Sequence, residues 1–396
     1  MDLSLSEEQT LVVATVRRFV RKELWLWEKR IDSDAMALPD EAVAELRPKA
    51  QAMGLDHLRA PSGFCGADLE EIAPNLLTRV LVAEETSQHR AGVLTPSYGL
   101  FGVDVPPQLF AATAEQQATF LQPLLAGEAR SFVGLADPAG AEQATDSTRI
   151  RARRLGEEWM LDGTKLFVVG AESADFGLVF ANAEEEDGSA LGVSLFVVES
   201  EREGFQRWRP YRTMSPARDV MELNLSNLRI PATNRLGEVG QAAGFGEEFL
   251  VRRRVFAAAE LTGVASAAQD MARGQIHARR EFGSALSAQQ GARWALADNE
   301  IELRSSRWLY LAAADAFERE GWEEAAPAVA AARVTAAGTA TAIVDRTIQL
   351  HGSAGLSADL PLERWYRDLR TRRIDDGGDG AQRSALAQHL LDTFTK

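Results

Sequence analysis

The residues best placed to do chemistry lie near the C-terminus. Asp375, Asp376 and Asp379 stand together in Arg373-Ile-Asp-Asp-Gly-Gly-Asp379, just before the helix-forming run 381–386. A carboxylate offered on a tight loop at a helix start can take a proton from carbon when it is partly desolvated, because loss of water raises its basicity. Upstream, Gln349-Leu-His-Gly-Ser-Ala-Gly355 makes a second glycine-bearing break, and Arg367-Asp-Leu-Arg370 lies on the short helical segment between the two. Gly355 and the Gly377-Gly378 pair permit backbone conformations that other residues resist, so both breaks are shaped loops. Aspartate and glycine are also the ordinary residues of turns, and this stretch alone leaves both readings open.

The rest of the chain bounds what such a loop can serve. At 396 residues it is too long for one small core, and two or three domains are expected. A formal net charge of −15 disfavours a nucleic-acid groove, which needs a basic field. The single cysteine, Cys65, excludes intramolecular disulfides and fits a reducing, cytoplasmic setting. The five histidines are scattered without metal-ligand spacing, so no metal is expected. No apolar run reads as long enough to span a membrane, and the opening Met-Asp-Leu-Ser-Leu-Ser-Glu-Glu lacks a signal pattern.

Three tracts follow from periodicity. Residues 1–130 read as an N-terminal helical domain: Ser6-Glu-Glu-Gln9 has the form of a helix cap, followed by Leu11, Val12, Val16, Phe19 and Val20 at helical spacing. Residues 131–238 change to short β-branched or alternating runs punctuated by turn dipeptides, including Asp162-Gly163 and Asp187-Gly188. Strands this close together, with no helices between, predict antiparallel pairing in a barrel or sandwich. Residues 239–396 are helical again and alanine-rich, with runs near 245–280, 288–319, 324–351 and 381–394, as a four-helix bundle requires. The fold class expected is α+β and multi-domain.

That order, with the motifs at its joints, resembles the acyl-CoA dehydrogenase superfamily over nearly the whole chain. Leu121-Gln-Pro-Leu-Leu-Ala-Gly-Glu128 resembles the family's lead into the β-domain, and Leu135-Ala-Asp-Pro138 stands where the family has Thr-Glu-Pro. Asp162-Gly-Thr-Lys165 followed by Phe167-Val-Val-Gly170 resembles Asn-Gly-x-Lys-x-Trp-Ile-Thr-Asn. Arg279-Arg-Glu-Phe-Gly283 with Gln290 resembles Arg-x-x-Phe-Gly followed by glutamine, and Gln349-Leu-His-Gly-Ser353 resembles Gln-x-x-Gly-Gly. The resemblance implies FAD between the β-domain and the C-terminal bundle, with its adenosine diphosphate reaching a neighbouring subunit. Leu135, Ala136, Phe167 and Val169 would then face the flavin ring, and Arg279, a permanent cation, the pyrophosphate. Phe282 and Gln290 would seat that half of the cofactor, while Gln349, Gly352 and Ser353 would close over the partner's pyrophosphate. Asp376 takes the place of the family's catalytic glutamate, with Gly378 beside it on the cofactor side. Arg254, nine residues before Gly263, matches a family arginine near that carboxylate, although as one of Arg252-Arg-Arg254 it reads equally as a surface charge. The implied reaction is α,β-desaturation of an acyl thioester. The implied acceptor is an electron-transferring flavoprotein, and the implied assembly a homotetramer or homodimer, or a heteromer with a homologous subunit.

The chain also departs from the family pattern. Ala136 and Val169 replace two threonines whose hydroxyls commonly bond the flavin ring, and each unreplaced bond at a buried site costs about 1–3 kcal/mol. Phe167 replaces the shielding tryptophan and keeps an aromatic face. Two alternatives stand beside the dehydrogenase: a nitroalkane-oxidase-type flavoenzyme, since those relatives also use an aspartate followed by glycines, and a partner subunit with a weakened flavin site in a heteromeric enzyme. The acyl group is not legible, because a single sequence does not reveal which bundle side chains point inward.

Overall fold

The computed structural model describes residues 5–55, 58–61, 64, 75–136, 138, 148–215, 219–281, 283–375 and 378–394. They form two compact units: Met1–Gly102 together with Val251–Lys396, and Val103–Leu250. In chain order the first unit begins with α1 (Glu7–Phe19), α2 (Trp25–Glu28), α3 (Asp40–Gln51) and α4 (Leu76–Thr86). The cap read from the sequence is present. Ser6 Oγ accepts from Gln9 N at 3.1 Å while Gln9 Oε1 accepts from Ser6 N at 3.0 Å, so two otherwise orphaned donors are satisfied.

The described residues of the second unit hold one sheet and a continuous helical stretch whose ends are α5 (Ala114–Gln116) and α6 (Gln122–Ala126), joined by a π-helical turn at Gln117–Leu121. Its strands are β1 (Ser131–Gly134), β2 (Arg151–Leu155), β3 (Glu158–Val169), β4 (Phe176–Glu184), β5 (Ala190–Glu199), β6 (Phe205–Pro210), β7 (Val220–Pro231) and β8 (Arg235–Leu236). The spatial order is β6-β7-β3-β2-β4-β5-β8, with β1 also on β4. The sheet is mixed, which corrects the all-antiparallel expectation. β1 pairs in parallel with the first part of β4 (Ser131↔Phe176) and β2 in parallel with its end (Arg151↔Asn182). The reason is that β3, antiparallel to β2, carries the chain back across the sheet, so β4 starts from the same end as β2. The Asp162-Gly163 dipeptide is likewise no turn: β3 runs through it with a bulge, and Gly163 sits at φ +137° where a β-carbon would press on Ile150. Asp187-Gly188 does form the β4–β5 turn, with Gly188 N donating to Glu185 O at 2.9 Å.

The chain then returns to the first unit through α7 (Glu247–Ala278), a small hairpin of β9 (Arg280–Glu281) and β10 (Ser284–Ala285), α8 (Gln290–Glu320), α9 (Trp322–His351), α10 (Leu362–Arg372) and α11 (Gly378–Phe394). Residues from both ends of the sequence share one core here: Val16, Leu24, Leu46 and Val80 pack in the same cluster as Val255, Leu261, Tyr310, Ala336, Ile343 and Trp365. Alanines at 325, 332, 336, 337 and 340 are buried on α9 and let neighbouring helices approach closely. At Gly263 of α7 even a methyl is excluded, because it would collide with the main-chain oxygen of Glu84. By length and composition Trp322–Leu356 is apolar enough to cross a membrane, contrary to the sequence expectation. Its apolar residues Val329, Ile343 and Val344 are spent in this core.

The candidate flavin and acyl-thioester site

In the second unit the candidate residues cluster around one clamp. Lys165, fully buried, reaches Leu135 O and Thr148 Oγ1, both at 3.2 Å, and the next residue, Leu166, donates its N–H to Ala136 O at 2.8 Å. Side chain and main chain of β3 thus hold the Leu135–Ala136 segment as it leaves β1. Immediately beyond the clamp β3 bulges between Lys165 and Val168, and the bulge turns Phe167 outward at φ +52°, leaving it 57% exposed. Val169, two residues on, is also exposed. The Phe167 ring lies on Tyr211, with centroids 4.3 Å apart and planes at 23°. The four sequence candidates Leu135, Ala136, Phe167 and Val169 therefore belong to one local structure, held by Lys165.

In the first unit most of the candidates lie at helix ends. Arg279 closes α7, its N–H donating to Gln275 O at 2.9 Å, and its exposed guanidinium pairs with Glu281 at 3.1 Å. Gly283 at φ +78° lies between β9 and β10, and Gln290 opens α8 on the surface; Phe282 lies outside the described residues. Gln349, Gly352 and Ser353 are all exposed at the end of α9, and Gly352 has φ +58° with open space where a side chain would be. Arg254 is half-buried on α7, one residue from Arg253 and two from Arg252, whose guanidinium lies over Phe317 at 4.9 Å.

Asp376 lies outside the described residues, but its flanks are fixed. Asp379 N donates to Arg373 O at 3.0 Å and its Oδ2 accepts from Arg373 Nε at 2.8 Å, so the two residues staple the loop ends together. Gly378 N donates to Asp375 O at 2.9 Å, and Gly378 takes φ +59°. Arg383 adds a second cation 3.7 Å from Asp379. The preceding helix is anchored in its own unit. Within α10, Arg364 pairs with Asp368, both buried, and donates to Ser33 O at 2.8 Å and Ala35 O at 2.9 Å. Trp365 Nε1 donates to His89 O at 3.0 Å. Arg367 is held well above its usual pKa, chiefly by hydrogen bonding to Glu363, with Asp34 adding to the effect against partial burial.

The donor chemistry fits FAD in two ways. An anionic pyrophosphate is suited by a cation, which the exposed Arg279 offers, and by close backbone approach, which the open Gly352 and Ser353 offer separately, all in the first unit. A flat ring system needs an exposed aromatic face, which Phe167 offers in the second. Ala136 and Val169 carry no side-chain hydrogen-bonding group to offer such a ring.

Comparison with known proteins decides the family. The acyl-CoA dehydrogenase N-terminal, middle and C-terminal domain profiles match residues 6–128, 133–228 and 245–391. The chain belongs to the acyl-CoA dehydrogenase family. The short-chain-specific acyl-CoA dehydrogenase of Clostridium acetobutylicum is 27% identical over 395 residues, covering 99% of this chain and 100% of that one. The 3-(aryl)acrylate reductase of Clostridium sporogenes is 28% identical over 393 residues, covering 98% and 99%. Among solved structures, butyryl-CoA dehydrogenase from Megasphaera elsdenii superimposes with a TM-score of 0.81 at 25% identity, covering 99% of this chain and 100% of that one. As a family member this chain is an FAD-dependent oxidoreductase of the acyl-CoA α,β-desaturation type.

Sequence reasoning missed the supports behind these residues. Lys165 stands in a motif that assigns it no role, and Tyr211 carries no signal in the sequence. Nor do the buried carboxylates Glu84, which accepts from Arg307 and Tyr310, and Glu260, which accepts from Arg59. Burial of a charge in the partner's presence is not a property of either residue alone.

Proposed function

We propose that Asp376 is the base of an acyl-CoA dehydrogenase reaction in this chain. The carboxylate takes the proton alpha to the thioester carbonyl, and the enolate-like charge that develops collapses into the α,β double bond as hydride leaves the beta carbon. FAD, when bound, supplies the two-electron acceptor for that hydride. The observation carrying the reading is the staple around the loop. Arg373 and Asp379 close a short turn at the start of α11, and a base needs that kind of fixed frame to approach carbon within contact distance. Arg254 is assigned to the neighbourhood of this carboxylate on the family pattern. Two relatives are named as reductases, a 3-(aryl)acrylate reductase and an acryloyl-CoA reductase, and the dehydrogenase direction is the one assigned here.

The finer assignments follow the same pattern. An electron-transferring flavoprotein is the acceptor, supported by structural likeness at 25% identity and TM-score 0.80 to a chain from the Acidaminococcus fermentans work on that flavoprotein. Self-association is supported by the exposed Trp294, Ile301 and Trp308, which recur at seven-residue intervals along α8 and form an apolar stripe. A cytoplasmic setting is supported by the single cysteine. A second reading, a partner subunit that depends on a homologous chain for part of its flavin pocket, is favoured by the absent hydroxyls at Ala136 and Val169.

The test is anaerobic mixing of the FAD-loaded protein with a panel of acyl-CoAs while visible absorbance is followed. At least one thioester bleaches the flavin band of the wild type, and Asp376→Asn slows that bleaching by about 10²-fold or more, as loss of a general base requires. Bleaching of the Asp376→Asn variant at the wild-type rate would remove the assignment. A chain that fails to retain FAD alone and gains it with a homologous subunit would establish the second reading.

A further inference from the structure

Phe167 combines two costs that a free chain has no reason to accept. Its ring is largely exposed, and its backbone takes a left-handed conformation that non-glycine residues avoid. Burial of its own side chain does not offset that strain. What fixes the ring instead is Tyr211, stacked on it at 4.3 Å. Tyr211 is itself tied down from several sides. Its N–H donates to Val220 O at 2.7 Å, its hydroxyl donates to Glu222 Oε2 at 2.9 Å, and the Arg209 guanidinium lies over its ring at 5.1 Å. Arg209 Nε donates to the same Glu222 oxygen at 2.6 Å, across the β6–β7 pairing. A phenyl ring, a phenol, a guanidinium and a carboxylate thus brace one another, and the outermost of the four is the ring left in the open.

We propose that Tyr211 is a positioning residue for the cofactor: it holds Phe167 at its strained backbone angle with an aromatic face ready for the flavin ring of FAD. The proposal rests on the reading of Phe167 as flavin-facing. Pre-ordering matters more here than in relatives with the two hydroxyls. Ala136 and Val169 hold the ring by no side-chain hydrogen bond, so shape and stacking carry a larger share of its placement. A ring already fixed gives up less rotational freedom when the cofactor arrives, and that saving goes into affinity.

The test titrates FAD into the full-length protein stripped of cofactor, comparing wild type, Tyr211→Ala, Tyr211→Phe, Phe167→Ala and the Phe167→Ala/Tyr211→Ala double variant. Tyr211→Ala weakens FAD binding about three- to ten-fold, the range of one aromatic contact, and shifts the visible band toward that of free FAD. Tyr211→Phe, which keeps the stack and loses only the bond to Glu222, binds as wild type. Phe167→Ala weakens binding to a similar degree, and the double variant adds little to either single one, as two members of one unit require. Wild-type affinity and band shape in Tyr211→Ala, with Phe167→Ala impaired, would overturn the role of Tyr211 alone. Wild-type affinity in Phe167→Ala would overturn the flavin-facing reading and the proposal with it. Equal weakening in Tyr211→Phe and Tyr211→Ala would show that the hydroxyl matters rather than the stack, and would also overturn it.

Discussion

Asp379→Asn tests whether the loop frame serves catalysis. Asp379 is nearly buried, accepts from Arg373 Nε at 2.8 Å and lies 3.7 Å from Arg383, while its N–H closes the loop onto Arg373 O. Asparagine keeps the size and the main-chain bond but removes the charge. A charge-assisted hydrogen bond contributes about 1.5–3 kcal/mol, and Arg373 is partly exposed, so solvent screening reduces this to about 1–1.5 kcal/mol. The carboxylate also sits in the first turn of α11, where loss of a negative charge forfeits a further ~0.3–1 kcal/mol against the helix dipole. If closure of the staple is what presents Asp376, a loss of about 1.3–2.5 kcal/mol lowers the population of the competent loop and slows proton removal by roughly 9- to 70-fold. The assay is the single-turnover rate of flavin bleaching by an acyl-CoA under anaerobic conditions, beside FAD affinity and thermal unfolding. The expected result is a slowed bleaching rate, with FAD affinity unchanged and a melting temperature within a few degrees of wild type. A wild-type bleaching rate in Asp379→Asn, with Asp376→Asn inactive, would refute the reasoning: the base would then not depend on the staple.

Tyr310→Phe removes only the hydroxyl that donates to the buried Glu84 carboxylate, so unfolding stability falls by about 1.5–3 kcal/mol; an unchanged thermal unfolding curve would show that Arg307 alone satisfies Glu84. Glu28 gives a pH prediction. Burial opposes its ionisation, but hydrogen bonds from His89, Tyr98 and the Arg90 N–H outweigh it and hold the carboxyl below its usual range. A folded pKa below the unfolded value, about 4.3 for glutamate, means stability present above that pH and lost as pH falls through the folded pKa. Denaturant midpoints measured down the acid range should therefore fall more steeply in wild type than in Glu28→Gln, and equal slopes would contradict the assignment.

How much of this was legible depended on distance along the chain. The capping box at Ser6 and Gln9 spans three residues and was visible at once, as were the helical runs that became α7, α8, α9 and α11. The spaced motifs carried the fold class, because each is local and their order is not. The parallel pairing of β1 and β2 with β4 was hidden, since strand direction depends on where an intervening strand travels and not on the composition of either partner. Asp162-Gly163 misled for a related reason: glycine at positive φ serves a bulge as well as a turn, and only the unbroken pairing of β3 with β7 tells them apart. Candidates such as Phe167 and Arg279 were named from their motifs, whereas Tyr211, 44 positions from Phe167, meets it only in the folded chain.

The helical unit is assembled from two stretches of chain with Val103–Leu250 between them, and that arrangement has a consequence during synthesis. Val16, Phe19, Leu24, Leu46 and Val80 find their packing partners on helices that begin at α7. A ribosome adding about 5–20 residues per second needs roughly 7–30 s to move from residue 102 to residue 251, and longer to release α9. Throughout that interval the first hundred residues present an apolar face without its other half, and at its end the sheet-containing unit has all of its own residues while the helices from α7 onward are still to come. Birth order thus favours folding from the middle of the chain outward, with the earliest residues waiting longest and offering the surface a chaperone would bind.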